Sequence, residues 1–421
     1  MIRQPCFFYG WVIVGIAVVN MTLVMGIRHS FSIFFPPILE EFGWGRGSTA
    51  VMLSLNIFVY GLLAPVAGSL GDRWKPRWVM PIGIAILGLA TAGCAFACEL
   101  WHFYLLFGIL IPVGLAAGGW PLLAPALANW FTKRRGMAIG LGHMGAGLSF
   151  TYGMFAEFAI SQLGWQLAYF ALAGTLVAIL LPLHILLFHY RPENKGLKAY
   201  GASELLDARD STAEIDVGGN SMSGGWTLGQ AVKTYRLWLL VLTEILYWGI
   251  GAYLVLAHQV QFAEDMGYSS LFAASIFALF GISMAAGQLS SSISDWIGRE
   301  VTVTMAIILA IVALGALVSV RDTSQPWLLY VYAICFGFGT GLFASTMITA
   351  SADIFHGKHF GAIGGLLVTG IGIGGAIGPW LGGYIYDISG SYISAFVLSM
   401  ACFVLACLAI WIAAPRNAAK F

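Results

Sequence analysis

Residues 25–35, MGIRHSFSIFF, put a cation and a titratable imidazole side by side late in a long apolar run. Charge is expensive there, about 2.5–3.5 kcal/mol at mid-span on insertion scales. The Arg28 guanidinium can hold a carboxylate through two parallel hydrogen bonds and stays charged at any relevant pH. Arg28 shares a helical stripe with Asn20 and Ser32, at i−8 and i+4. A polar stripe on an apolar helix is expected to face a cavity, which makes Arg28 a contact for an anionic substrate. Two other readings stand beside it: a structural pair with a carboxylate such as Glu157, or a side chain that snorkels to the interface. His29 lies about 100° around the helix from Arg28. It can load and release a proton near neutral pH, and an interhelical hydrogen bond explains it equally well.

Few other ionisable groups fall inside apolar runs, and each is a functional candidate for that reason. Glu244, Tyr247, Gly251 and His258 fall close to one helical face. At the α-helical rise Glu244 and His258 are about 21 Å apart, so they cannot touch. Tyr247 and His258 are expected to line a substrate path. Glu244 is a proton site near an inner gate, or the partner of a basic group there. His143 and Glu157 share a face of another helix and read as packing or pairing groups. No His or Cys set has metal-ligand spacing. The six cysteines, Cys94 and Cys98 included, read as small buried hydrophobes. Neither metal nor cofactor is expected.

The elements that must carry these residues are set by composition. Hydrophobic residues make up 59% of the 421 and charged residues 9%, where a soluble domain has about 25% charged. An all-α membrane protein in the lipid bilayer follows. Apolar runs of spanning length fall near 9–35, 50–70, 78–98, 103–128, 136–160, 166–190, 237–262, 270–292, 301–320, 327–350, 360–385 and 391–414. Twelve transmembrane helices put both termini on one side. Of the 20 Lys and Arg, only Arg46 and Arg321 then lie on the other side and only Arg28 within a span. Lys and Arg gather in cytoplasmic loops, so both termini are expected to be cytoplasmic. The N-terminus runs into its first apolar segment without a signal-peptide cleavage site. A net charge of +1 gives no ground for a nucleic-acid partner. Nothing fits the GxxxxGK[ST] loop of ATP-driven proteins.

The polar stretch 191–235 divides the chain into bundles 1–190 and 236–421, and it reads as a cytoplasmic linker. The two bundles repeat each other. Glu40-Glu41-Phe42-Gly43-Trp44 matches Glu264-Asp265-Met266-Gly267-Tyr268, and Asp72 matches Asp295. Gly136, Gly140, Gly145 and Gly147 match Gly361, Gly365, Gly370 and Gly372. Two pseudo-symmetric six-helix halves can rock about a midplane site. The glycines of the fifth helix and Gly370, Gly374, Gly375 and Gly378 of the eleventh are expected to allow close helix approach.

GSLGDRWKPR, residues 68–77, resembles the loop signature of the major facilitator superfamily, and SSISDWIGR, residues 291–299, repeats it weakly. The resemblance implies gating roles for Asp72, Arg73, Arg77, Asp295 and Arg299. Lys75-Pro76 departs from its usual Gly-Arg. WFTKRRGMAIGLGHMGAG, residues 130–147, resembles the fifth-helix signature of the monocarboxylate transporter family, with Lys133, Arg134 and Arg135 as its basic cluster. FYGW at 8–11 resembles a reduced form of that family's first-helix signature, and DIFHGKHFGAIGGLL and GPWLGGYIYDISGSY look like its bacterial members. The resemblance puts His29 where animal members carry a Lys linked to proton coupling. It also implies an Arg in helix 8 for the substrate carboxylate. Here helix 8 has Ser283, Met284 and Gly287 and no charge before Asp295, so Arg28 is expected to supply the cation instead.

The expected activity is proton-coupled transport of a small monocarboxylate, lactate- or pyruvate-like, by alternating access. The competing readings are a carboxylate exchanger of the oxalate–formate kind and a nutrient receptor on a transporter scaffold. A receptor is expected to carry a long signalling tail, and APRNAAKF is short. A non-enzymatic, monomeric protein of the bacterial inner membrane is the full expectation.

Overall fold

The computed structural model describes residues 8–73, 76–201, 226–355 and 360–415, with the side chains of 68–73, 76–77, 135, 291, 360 and 362 outside the description. Asp72, Arg73, Arg77 and Arg135 therefore lie outside the described side chains, and 202–225 of the linker lies outside the described residues.

The described chain is helical throughout, apart from one isolated bridge between Phe131 and Tyr200. It forms long helical runs α1 Gly10–Phe42, α2 Arg46–Arg73, α3 Pro76–Gly93, α4 Leu100–Trp130, α5 135–163 and α6 Trp165–Leu187. After the linker come α7 Tyr235–Asp265, α8 Ser270–Leu289, α9 Arg299–Ser319, α10 Trp327–Ile354, α11 Phe360–Ser389 and α12 Ile393–Ala413. Among the described residues, 11 helices are long and apolar enough to cross a membrane. The run not among them is α5, which is poor in large aliphatic residues. Glycines 136, 140, 142, 145 and 147, His143 and Glu157 take their places, and a 3-10 turn, Ser149–Thr151, interrupts it.

Sequence chemistry explains the local departures from regular helix. In α1, Pro36 and Pro37 lack the N–H groups that would reach back to Ser32 and Ile33. The run is broken just before, at Ser30, whose hydroxyl turns back to the Gly26 carbonyl at 2.7 Å. In α7, Ile245–Ala252 is π-helical. A π-helix takes more residues per turn than an α-helix, so the α-helical phasing of Glu244 with His258 does not carry through it.

Among the described residues, the most extensive contacts between the first half of the chain and the second are those of α2 with α11, α5 with α8, and α1 with α7. Glycine sets the closest of these. A Cβ on Gly61 would stand 2.8 Å from the Gly372 Cα, and one on Gly281 would stand 2.6 Å from the Gly147 carbonyl oxygen. Gly145, Gly370, Gly374, Gly375 and Gly378 pack as expected, whereas Gly136 and Gly140 face open space.

Candidate functional site

Where α1 breaks, it delivers Arg28 and Ser32 to the seam between the two halves of the chain. Arg28 is only 3% exposed, so it does not snorkel. Its Nε donates to Asn56 Oδ1 of α2 at 2.7 Å, and Asn56 Nδ2 in turn donates to the Phe107 carbonyl of α4 at 2.7 Å. The guanidinium lies over the Tyr60 ring, 4.3 Å from its centroid. In place of the alternative pairing with Glu157 stand a neutral amide and an aromatic face, neither of which cancels the charge. Arg28 Nη2 is buried without a hydrogen-bond partner. A buried charged donor left open is costly, and an anion is the group that relieves it.

Arg28 belongs to the lining of a small cavity shared by α1, α2, α5, α7 and α8. Besides Arg28 the cavity has His29, Ser32 and Tyr253 as polar members, with Phe150, Leu256 and Phe277 among the apolar ones. Its volume is about 10 Å³, room for roughly one water. A larger groove of about 270 Å³ between α2 and α11 is lined by Val51, Ser54, Leu55, Phe58, Ala376 and Trp380. It holds no charged group and offers an anion nothing.

The other expected residues are dispersed. His29 shares the Arg28 cavity, its Nδ1 2.7 Å from Ser149 Oγ and its ring stacked 3.9 Å from Phe150. Ser32 donates to the Leu256 carbonyl and so crosses to α7. Asn20 leaves the proposed polar stripe: it donates to the Gly118 carbonyl at 3.0 Å and bonds His184 Nε2 at 2.8 Å, knotting α1 to α4 and α6. Tyr247 is fully buried against Phe343, ring centroids 3.5 Å apart, with its hydroxyl 3.5 Å from Thr340 Oγ1. Glu244 is buried, and its Oε2 has no hydrogen-bond partner. His143 meets Gln288 Nε2 of α8 at 3.3 Å and packs on Trp120.

His258 stands in a charge cluster at one end of the bundle that the sequence reading missed. Its Nε2 is 2.8 Å from the Pro379 carbonyl oxygen and its Nδ1 3.2 Å from the Tyr392 hydroxyl. Tyr392 Oη also accepts from Arg46 Nη1 at 2.9 Å. Arg46, at the start of α2, forms a two-point ion pair with Asp265 at the end of α7. The backbone N–H groups of Arg46 and Gly47 donate to Asp387 of α11 at 2.9 and 2.8 Å. The Arg46 guanidinium also covers the Tyr386 ring at 3.7 Å. One arginine from the first half of the chain thereby binds three helices of the second. Counting Arg46 merely as a loop charge hid it. The available signal was the concentration of Tyr386, Asp387 and Tyr392 within seven residues of sequence.

At the other end, Arg299 bonds Asp295 and Ser294, each at 2.5 Å, and Asp353 of α10 at 2.8 Å. This cluster stays within the second half of the chain, and Asp353 is the member that sequence reasoning missed. Lys133 and Arg134 are exposed. Thr132 and Lys133 donate backbone N–H groups to the Tyr200 carbonyl at 3.0 and 2.9 Å, and Arg134 takes the left-handed conformation, φ 61°, before α5 begins. Among the described residues no group of three His, Cys, Asp or Glu is arranged to hold a metal ion.

The family model described as Major Facilitator Superfamily matches residues 13–349 and 313–420. Monocarboxylate transporter 13 of Rattus norvegicus is 28% identical over 416 residues, which is 97% of this chain and 89% of that one. Monocarboxylate transporter 11 of Homo sapiens is 26% identical over 93% of this chain and 80% of its own length. A putative glycerol-3-phosphate transporter 2 of Arabidopsis thaliana is 28% identical over 83% of this chain and 75% of its own. In fold, the chain is similar to a bacterial homologue of the human lysosomal transporter Spinster, crystallised inward-facing and unoccupied. The TM-score is 0.70 at 15% identity, with 98% of each chain covered.

Proposed function

The chain belongs to the Major Facilitator Superfamily, and from that premise we propose that it carries a small monocarboxylate across a membrane together with a proton. The observation that supports this reading is the buried Arg28 guanidinium, held by Asn56 and Tyr60, with Nη2 unpartnered in a residue that lines the cavity. A carboxylate oxygen on Nη2 gives that buried donor an acceptor and offsets the charge. Ser32 and Tyr253 supply polar edges, while Leu256, Phe150 and Phe277 suit a short apolar body. His29 beside the cation is the proposed proton site.

In this reading α5 is the twelfth span, 1–190 and 236–421 are the moving bundles, and both termini and the 191–235 linker are cytoplasmic. The carrier is a monomer of the bacterial inner membrane. Tyr247 and Glu244 act from the second bundle in a more open state of the cycle. Asp72, Arg73, Arg77 and Lys133 to Arg135 brace the cytoplasmic end together with the Arg299 cluster.

Uptake of labelled lactate, pyruvate, formate, oxalate and glycerol 3-phosphate into proteoliposomes, with and without acid outside, tests this. Acid-stimulated uptake of a monocarboxylate supports the proposal. Uptake that requires an internal anion and ignores the pH gradient replaces it with exchange. Preference for glycerol 3-phosphate moves the substrate class to phosphate monoesters, which a guanidinium also binds.

A further inference from the structure

We propose that His258 reads protonation for the Arg46 clamp and sets its strength through the Tyr392 hydroxyl; the purpose of this device rests on the transport reading above. The connection is a continuous run of hydrogen bonds, Asp265–Arg46–Tyr392–His258–Pro379, that crosses from α2 to α7, α11 and the start of α12. His258 is 0% exposed and Tyr392 2%, so the inner half of the run has no water to substitute for a lost bond.

The chemistry of the partners fixes the direction. A carbonyl only accepts, so His258 Nε2 carries a proton toward Pro379. In the neutral ring Nδ1 then accepts from the Tyr392 O–H, whose oxygen is free to accept from Arg46 Nη1. A second proton on the ring turns Nδ1 into a donor. The phenol proton loses its acceptor, and two cationic donors compete for one oxygen. The charged groups around the ring are Arg46 from α2, Asp265 from α7 itself and Asp387 from α11. Tyr386 from α11 lies tilted against Tyr392, ring centroids 4.5 Å apart, and α1 contributes the uncharged Phe35. Both carboxylates already serve the Arg46 segment, so an imidazolium draws on the same acceptors. Protonation therefore loosens the clamp.

Close packing makes that loosening consequential. A Cβ on Gly383 would stand 2.6 Å from the Arg46 carbonyl carbon and oxygen and from the Gly47 nitrogen. The α2 and α11 backbones thus touch at the clamp, and they must part for this end to open.

Amide hydrogen exchange of the whole protein in nanodiscs, without substrate, tests the inference. It follows residues 46–52 and 380–392 at a series of pH values from about 4 to about 7.5, corrected for intrinsic rate, a range wide enough to include a buried histidine. We expect opening in the wild type to rise about tenfold at acid pH, within the usual range for coupled sites. His258→Gln keeps a donor for Pro379 and an acceptor for Tyr392 but cannot titrate, so its exchange should ignore pH. Tyr392→Phe removes the relay and should lose the pH response even if the Gln variant fails to fold, as judged by protection of α9. A wild type that is flat or tighter in acid overturns the inference, as does a pH response retained in either folded variant. Because no substrate is present, failure of the uptake assay leaves this result standing.

Discussion

The two ends of the helical bundle hold their charges differently. At one end Arg46 of α2 reaches Asp265, Asp387 and Tyr392, so a residue from the first half of the chain ties three helices of the second. At the other, Arg299 reaches Asp295, Ser294 and Asp353, all within the second half. The Gly383 backbone presses on Arg46 at the first end, while Gly136 and Gly140 near the second meet open space. A clamp across the seam holds two bodies together; a brace within one body stiffens that body. The cavity at Arg28 lies along that seam, lined by helices from both halves.

Four substitutions test this contrast. Arg46→Gln should weaken it most, because it removes the two-point ion pair to Asp265 and the bond to Tyr392. About 2 kcal/mol of clamp stability should be lost, read as faster exchange at residues 380–392 and as uptake reduced by more than tenfold. Gly383→Ala forces a Cβ into the Arg46 backbone and should cost about 1–2 kcal/mol of thermal stability, with the loss confined to the same end. Arg299→Gln breaks partly exposed pairs, for which about 0.5–1 kcal/mol is typical. It should change the rate of uptake while leaving exchange at the Arg46 end untouched. Tyr247→Phe removes a hydroxyl whose bond to Thr340 is long, so stability should move by about 0.5 kcal/mol or less. A rise in KM in that variant would support the action of Tyr247 in the more open state.

Much of this architecture was legible in the sequence, because bilayer thickness and backbone hydrogen bonding leave a chain so apolar little choice. The repeat and the apolar runs locate the helices to within a few residues. Arg28 was legible as the lone cation inside a span. Its partners were not, since which residues of α2 face it depends on helix rotation and crossing, and Asn56 and Tyr60 carry no local mark. The π-helical turn in α7 was likewise invisible, so the stripe from Glu244 to His258 was drawn with the wrong pitch. The Arg46 clamp joins positions 219 to 346 residues apart. Only packing of α2 against α11 brings them together.

The central claim is that Arg28 supplies the anion site that helix 8 lacks. It is tested most directly by Arg28→Gln in proteoliposomes matched to wild type for protein content and for residue 380–392 protection. The account predicts that carboxylate uptake falls to background while the fold and the Arg46 clamp stay intact. Uptake at the wild-type rate would contradict it.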